Sequence, residues 1–181
     1  MHPAPDDAAR RRRFEDVVAA VYEPVQRYLL RRADPSAADD VLGDVLLVLW
    51  RRLDDVPADA VLPWTYGVAR GCLANNRRST ARQERVVQRL ARQPEAAEPE
   101  GDEALAEALR ALPDADRELL RLWAWEQLPP REIALALGIS ANAASIRLHR
   151  AKGKLKKLLV ARKDGGAAGH PRVREEGGAG R

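Results

Sequence analysis

Residues 128–157 read LPPREIALALGISANAASIRLHRAKGKLKK. Pro129 and Pro130 suit the first turn of a helix, where no backbone donor is needed and the fixed φ of proline is already helical. Ile133, Ala134 and Leu137 supply that helix with an apolar face. Gly138 suits a left-handed cap that stops it, and Ser140 is an N-cap for a second helix. The pattern predicts a helix, a tight turn and another helix. In the second helix Ala144, Leu148, Ala151, Leu155 and Leu158 recur at spacings of four, three, four and three, which makes one buried stripe. Asn142, Ser145, Ile146, His149 and Arg150 lie off that stripe. Residues 147–163 hold eight Arg or Lys and no acid. A solvated basic helix is the plain account of such a run, but a basic helix in a helix-turn-helix favours a phosphate backbone as its partner.

The rest of the composition agrees with helices. Of 181 residues 45% are hydrophobic, enough for a core, and only 4% are aromatic. No run alternates with a period of two, and there is no Asn-Gly hairpin signal, so the expected class is all-α. The formal charge of +4 and the sequence pI near 9.6 fit a polyanionic partner. A single cysteine, Cys72, excludes an internal disulfide and a cysteine-rich zinc site, and its apolar flanks predict a buried, inert thiol. No apolar run is long enough for a membrane span, and the arginines at residues 10–13 are not followed by a signal-peptide core. The expectation is a cytoplasmic protein without membrane insertion.

Upstream, residues 1–13 read as a loose polar lead-in. Val17, Val18, Val21, Val25, Tyr28 and Leu29 then follow helical spacing, with a kink or break expected at Pro24. Ser36 and Asp39 form a capping-box-like start for the next helix, expected over residues 37–53. That helix is apolar nearly all round, as the central helix of a domain should be. Its polar strip, Asp40, Gly43, Asp44 and Arg51, has two readings: the wet face of a soluble helix, or an acidic edge that docks a basic partner helix. The residues alone leave both open.

A long helix is expected over residues 62–92. Its first half carries Trp64, Tyr66, Val68, Ala69, Cys72 and Leu73. Its second half carries an arginine stripe, Arg78, Arg82, Arg85, Arg89 and Arg92, preceded by Arg70, Asn75, Asn76 and Arg77. Between residues 70 and 92 there are seven arginines and one acid, a density that repels itself unless a polyanion neutralises it. Asparagine can read base edges, and Trp64 or Tyr66 can either pack in the core or stack on an unpaired base. Residues 93–102, QPEAAEPEGD, change composition to proline, glycine and acid, and read as a flexible linker at a domain boundary. A helix over residues 103–112 follows. Asp114 is a candidate N-cap for the next, which carries Leu119, Leu120, Leu122, Trp123 and Trp125. The tail from residue 164 has too little apolar surface to pack, and His170 within it has no neighbour with which to hold a metal.

Taken together, ADDVLGDVLLVLW, PWTYGVARGCLANNRR, ALPDADRELLRL and LPPREIALALGISANAASIRLHRAKGKL resemble the extracytoplasmic-function sigma factors of the sigma-70 family, the compact bacterial sigma factors that keep only regions two and four. The resemblance covers residues 14–92 and 103–159. It implies an all-α fold of two small helical domains, region two over residues 14–92 and region four over residues 103–160, joined by the acidic linker. It also implies a function: binding core RNA polymerase, directing it to a promoter and helping to open the duplex. Asp40, Leu42, Asp44, Leu47 and Trp50 fall in the segment that resembles the core-binding helix, which turns the open choice over the acidic strip toward docking. Trp64, Arg70, Asn75, Asn76, Arg77 and Arg78 fall in the segment that resembles the reader of the minus-ten element. Ser140, Asn142, Ser145, Arg147, His149 and Arg150 fall in the one that resembles the minus-thirty-five reader. The implied partners are core polymerase, promoter DNA and an anti-sigma factor, with no cofactor, metal, catalytic residue or small-molecule substrate. Gly43 stands where many relatives carry glutamine, Asn75 where aspartate is common and Ser145 where lysine is common.

Two other functions fit part of the pattern. A dimeric helix-turn-helix regulator would bind operator DNA without polymerase, but it has no use for a docking strip. An enzyme acting on nucleic acid would need acids or metal ligands clustered beside the basic faces, and here the acids lie in the linker and the strip.

Overall fold

A central helix, Pro35–Arg51, organises the N-terminal half. In the computed structural model, which describes residues 5–87 and 103–167 and the side chains of 7–82 and 103–161, this helix is α2. It follows α1 (Pro5–Leu30) and leads through a short 3-10 turn (Leu53–Asp55) to α3 (Val61–Val87). The C-terminal half holds α4 (Glu103–Arg110), α5 (Asp114–Ala124), α6 (Pro130–Leu137) and α7 (Ala141–Ala167). The described residues contain no strand.

α2 is gripped from two sides by α1 and α3. Ala38, Val41, Leu42, Val45 and Leu49 are buried along it. Burying each Val or Leu contributes about 1.5–3 kcal/mol, so this stripe fixes where the helix sits. Its start differs from the expected capping box: Asp34 is the N-cap, accepting from the Ala37 amide at 3.0 Å, and Pro35 begins the first turn. Proline at that position already has helical φ and lacks the donor that the turn leaves unpaired, so Ser36 and Asp39 are not needed as caps.

α1 is continuous through Pro24, without the expected break. Val21, Val25, Tyr28 and Leu29 on either side of the proline are all buried. Their packing outweighs the roughly 3 kcal/mol that an interior proline costs. The helix also begins at Pro5, so residues 5–13, expected as a loose lead-in, are helical, and at the other end α7 continues through residues 164–167.

Around the turn from α6 to α7 the caps are as the sequence predicts. Pro130 opens α6, Gly138 ends it at φ 66° and ψ 39°, and the Ser140 hydroxyl accepts from the Ala143 amide at 3.2 Å. Ala144, Leu148 and Ala151 are buried, with Leu155 and Leu158 packed against them. Asp114 lies inside the first turn of α5, with Pro113 in the capping position. There it favours the positive end of the helix dipole and pairs with Arg117 at 3.4 Å. Arg117 also reaches back to α4, donating to the carbonyls of Leu109, Arg110 and Leu112 at 3.0–3.1 Å.

The two halves touch. α3 packs on α6, and their buried apolar side chains belong to one cluster running from Val21 to Ala151. At the crossing a Cβ on Gly67 would stand 3.2 Å from the carbonyl oxygen of Ala136, tighter than most side-chain contacts, so the missing Cβ eases the close approach of the two backbones. Among the described residues no helix is long and apolar enough to cross a membrane. The expected linker over 93–102, the Arg85 side chain, Arg89, Arg92 and His170 lie outside the described residues.

Candidate nucleic-acid interface

The buried stripe of α7 turns its opposite face outward. Ser140, Asn142, Ser145, Arg147, His149 and Arg150 are all exposed, and Ile146 stands among them at 44% exposure. Two hydroxyls are partly committed: Ser140 caps the helix, and Ser145 donates to the Ala141 carbonyl at 3.0 Å. The first three turns of a helix-turn-helix's second helix, displayed in this way, have the shape and donors to enter a major groove. Lys154 is held to Asp116 of α5 at 2.6 Å, which braces α7 against its neighbour.

On α3 the candidate side chains sit differently. Arg70, Asn75, Arg77 and Arg78 are exposed, and Trp64 and Asn76 are half-buried. Several already have protein partners. Arg70 donates across to the Leu137 carbonyl at the end of α6 at 3.4 Å, Arg77 donates to the Arg32 carbonyl at 2.8 Å, and Arg78 donates to Asn75. Trp64 carries the Arg52 guanidinium 5.2 Å from its ring centre. The sequence brings these groups onto one helix, and the fold engages part of them.

The third surface is on α2. Asp40 and Asp44 are exposed, with Leu47 at 54% and Trp50 at 37% beside them, an apolar and acidic strip. Leu42 is the exception. It is 5% exposed and belongs to the core, so it supports the strip from beneath and offers no surface itself. Gly43 has nothing within 4 Å of where a Cβ would be, so no close contact accounts for the glycine. Trp50 is braced by Phe14, edge-on at 5.1 Å, and by Arg10, which lies over the ring and donates to the Trp50 carbonyl at 2.9 Å and to Asp54 at 2.8 Å. One arginine of the N-terminal cluster therefore caps α2, a role that no local pattern signals. Cys72 is a buried free thiol, its pKa raised by burial and by Asp44.

A charged group absent from the sequence reading lies between the halves. Arg32, just past the end of α1, is 5% exposed. Its guanidinium meets Glu118 of α5 at 3.1 Å and Glu126 at 3.1 Å, and it lies 3.6 Å from the ring centre of Tyr28. Tyr28 donates to Glu118 at 3.0 Å, and Arg31 pairs with Glu126 at 3.2 Å. Burial alone would lower the Arg32 pKa, but Glu118 and Tyr28 raise it, so the charge is held firmly. Tyr28 is pushed up by burial and by Glu118, and Tyr66 is pushed up to about 12 by burial and by Glu126. One nitrogen, Arg32 Nη2, has no hydrogen-bond partner, an omission that costs about 1–3 kcal/mol or more for a charged donor. Among the described residues no group of His, Cys, Asp and Glu could hold a metal ion.

Comparison with known proteins follows the same outline. Residues 102–155 match the family model described as Sigma-70, region 4. The RNA polymerase sigma-E factor of Streptomyces coelicolor is 32% identical over 161 residues, covering 82% of this chain and 87% of that protein. RNA polymerase sigma factor CarQ of Myxococcus xanthus is 32% identical over 158 residues, covering 81% and 88%. Among solved structures, one of the sigma factor RpoE in complex with the anti-sigma factor NepR from Bartonella quintana shares the fold, with a TM-score of 0.63 at 19% identity over 81% of this chain and 96% of that one. A structure of CnrH with the cytosolic domain of CnrY gives 0.56 at 24% identity, over 83% and 90%.

Proposed function

Because this chain belongs to the extracytoplasmic-function sigma factors of the sigma-70 family, we propose that α2, α3 and α7 divide between them the docking, opening and reading that a sigma factor performs. The protein binds core RNA polymerase, directs it to promoters and promotes duplex opening. Residues 14–92 form region two, 93–102 the linker and 103–160 region four. Asp40, Asp44, Leu47 and Trp50 dock on a basic partner helix of the polymerase, supported from the core by Leu42. Asn142, Ser145, Arg147, His149 and Arg150, starting from the capped Ser140, read the minus-thirty-five element in the major groove. Asn75, Asn76, Arg77 and Arg78, with Trp64 and Arg70, hold the melted minus-ten element. The work takes place in the cytoplasm, and an anti-sigma factor is the further partner.

The observation that carries this reading is the separation of surfaces. A regulator that binds only duplex needs the α7 face, yet the chain also displays an acidic strip with Leu47 and Trp50 exposed, which would repel DNA and suits a basic protein helix. No hydrolysis is required. A melted element offers whole bases to stacking and edge contacts, so binding the open form more tightly than the closed one lowers the free energy of strand separation.

Transcription from a promoter library, with purified core polymerase with and without the protein, tests the reading. Start sites should share a two-part upstream motif only when the protein is present. Arg150→Ala should relax or weaken the upstream part, by about 1–3 kcal/mol of base discrimination, and Asn76→Ala the downstream part. Unchanged start sites and no binding to core polymerase would leave the duplex-binding regulator as the better account.

A further inference from the structure

We propose that Ile146 is a sequence-reading residue of α7, packing against the C5 methyl of a thymine in the upstream element and so fixing an A·T pair at one position of it. The inference rests on the reading of α7 as the helix that meets the minus-thirty-five element. Ala144, Leu148 and Ala151 anchor α7 in the core. At about 100° per residue, Ile146 stands about 160° round the helix from both Ala144 and Leu148, so it is the outermost point of the face turned away from the protein. It is 44% exposed, and among the described residues of the first three turns of α7 it is the one large apolar side chain left so. Asn142, His149 and Arg150, all exposed, are its neighbours on that face at four, three and four positions.

An isoleucine at this point serves neither the helix nor the core. It is a poorer helix former than alanine, because its branched Cβ restricts χ1, and it keeps apolar surface in water. It also has no donor or acceptor with which to hold a phosphate or a polar base edge. Among the groups that base pairs present in the major groove, only the thymine methyl is apolar. A helix entering that groove puts its outermost side chain nearest the floor, where the methyls lie, and its flanking arginines toward the phosphates of the walls, and Arg147 and Arg150 are both exposed. A G·C pair opposite Ile146 would set polar groups against a side chain that leaves them unpaired, so the contact that favours thymine also rejects guanine and cytosine. The stiff χ1 that weakens the helix is then an advantage, since little rotamer freedom remains to be lost on binding.

The test is a fluorescence-anisotropy titration of holoenzyme, assembled from core polymerase and the full chain, with duplexes carrying the upstream element that the start-site experiment identifies. Each thymine of that element, on either strand, is replaced in turn by deoxyuridine, which keeps its hydrogen bonds and loses only the methyl. At one thymine the replacement should weaken wild-type binding about fourfold, the worth of one buried methyl group. Ile146→Ala should bind the thymine duplex at least that much more weakly and show no difference between thymine and uracil there, while Ile146→Val should keep most of the difference. Because the side chain is exposed, Ile146→Ala should unfold at or above the wild-type temperature. An element with no methyl-sensitive thymine, equal sensitivity in wild type and Ile146→Ala, or a lower unfolding temperature in the alanine variant would each overturn the inference. A wild type that yields no upstream motif at all would sink the sigma reading and this inference with it, and that failure shows before any uracil is introduced.

Discussion

At the scale of the residue, Tyr66 illustrates how much of this protein depends on groups held away from water. It is 2% exposed, its ring centre lies 5.0 Å from that of Tyr28, and burial with Glu126 pushes its pKa from 10.0 to about 12. Below the unfolded value both states keep the phenolic proton, and the group's contribution is fully present. Above it the unfolded chain ionises first, so stability falls as pH rises from 10.0 to about 12. Tyr66→Phe removes this dependence. Urea unfolding at about pH 9 and about pH 11 should show the wild type losing roughly 1 kcal/mol more than the variant between the two. Equal losses would mean that the phenol is not shielded as the fold implies.

At the scale of the element, legibility followed the range of the interaction. The caps of α6 and α7 were readable because Pro130, Gly138 and Ser140 act on backbone within a turn of themselves. The stripe from Ala144 to Leu158 was readable because burial repeats with the helix. The continuity of α1 was not: Pro24 carries a strong local signal for a break, and only the core contacts of Val21, Val25, Tyr28 and Leu29 override it. The division of the candidate site was also hidden. Leu42 and Leu47 look alike in sequence, yet one is core and the other surface, a difference set by which side of α2 meets α1 and α3. Glu118 and Glu126 carry no local mark as partners of Arg32, because that pairing spans some ninety positions of chain. Arg117 is a comparable case, since it satisfies three carbonyls at the end of α4 from a different helix. Arg117→Ala removes the donor from the Arg110 and Leu112 carbonyls, while Leu109 keeps the Leu112 amide at 3.1 Å, and should destabilise the C-terminal half by about 1–3 kcal/mol, measured as a lower urea midpoint; a shift under about 0.5 kcal/mol would mean that water replaces the guanidinium without loss.

At the scale of the whole molecule, the charge is sorted by surface. α7 and the second half of α3 are basic, and the exposed strip of α2 is acidic, within a net charge of only +4. Duplex binding by the free protein should therefore be weak and set by phosphate contacts. Raising salt from about 50 to about 200 mM should reduce it at least tenfold for promoter and random DNA alike, in a titration followed by fluorescence anisotropy. Tight, sequence-selective binding by the lone chain would contradict the division of work among three surfaces. The position of the Arg32 ion pair has a further effect. Because Arg32 and its two carboxylates belong to one chain, their pairing is a first-order event whose balance does not depend on how many copies a cell holds. Two separate chains joined by the same charges would part on dilution, whereas here the joined fraction is the same at any concentration.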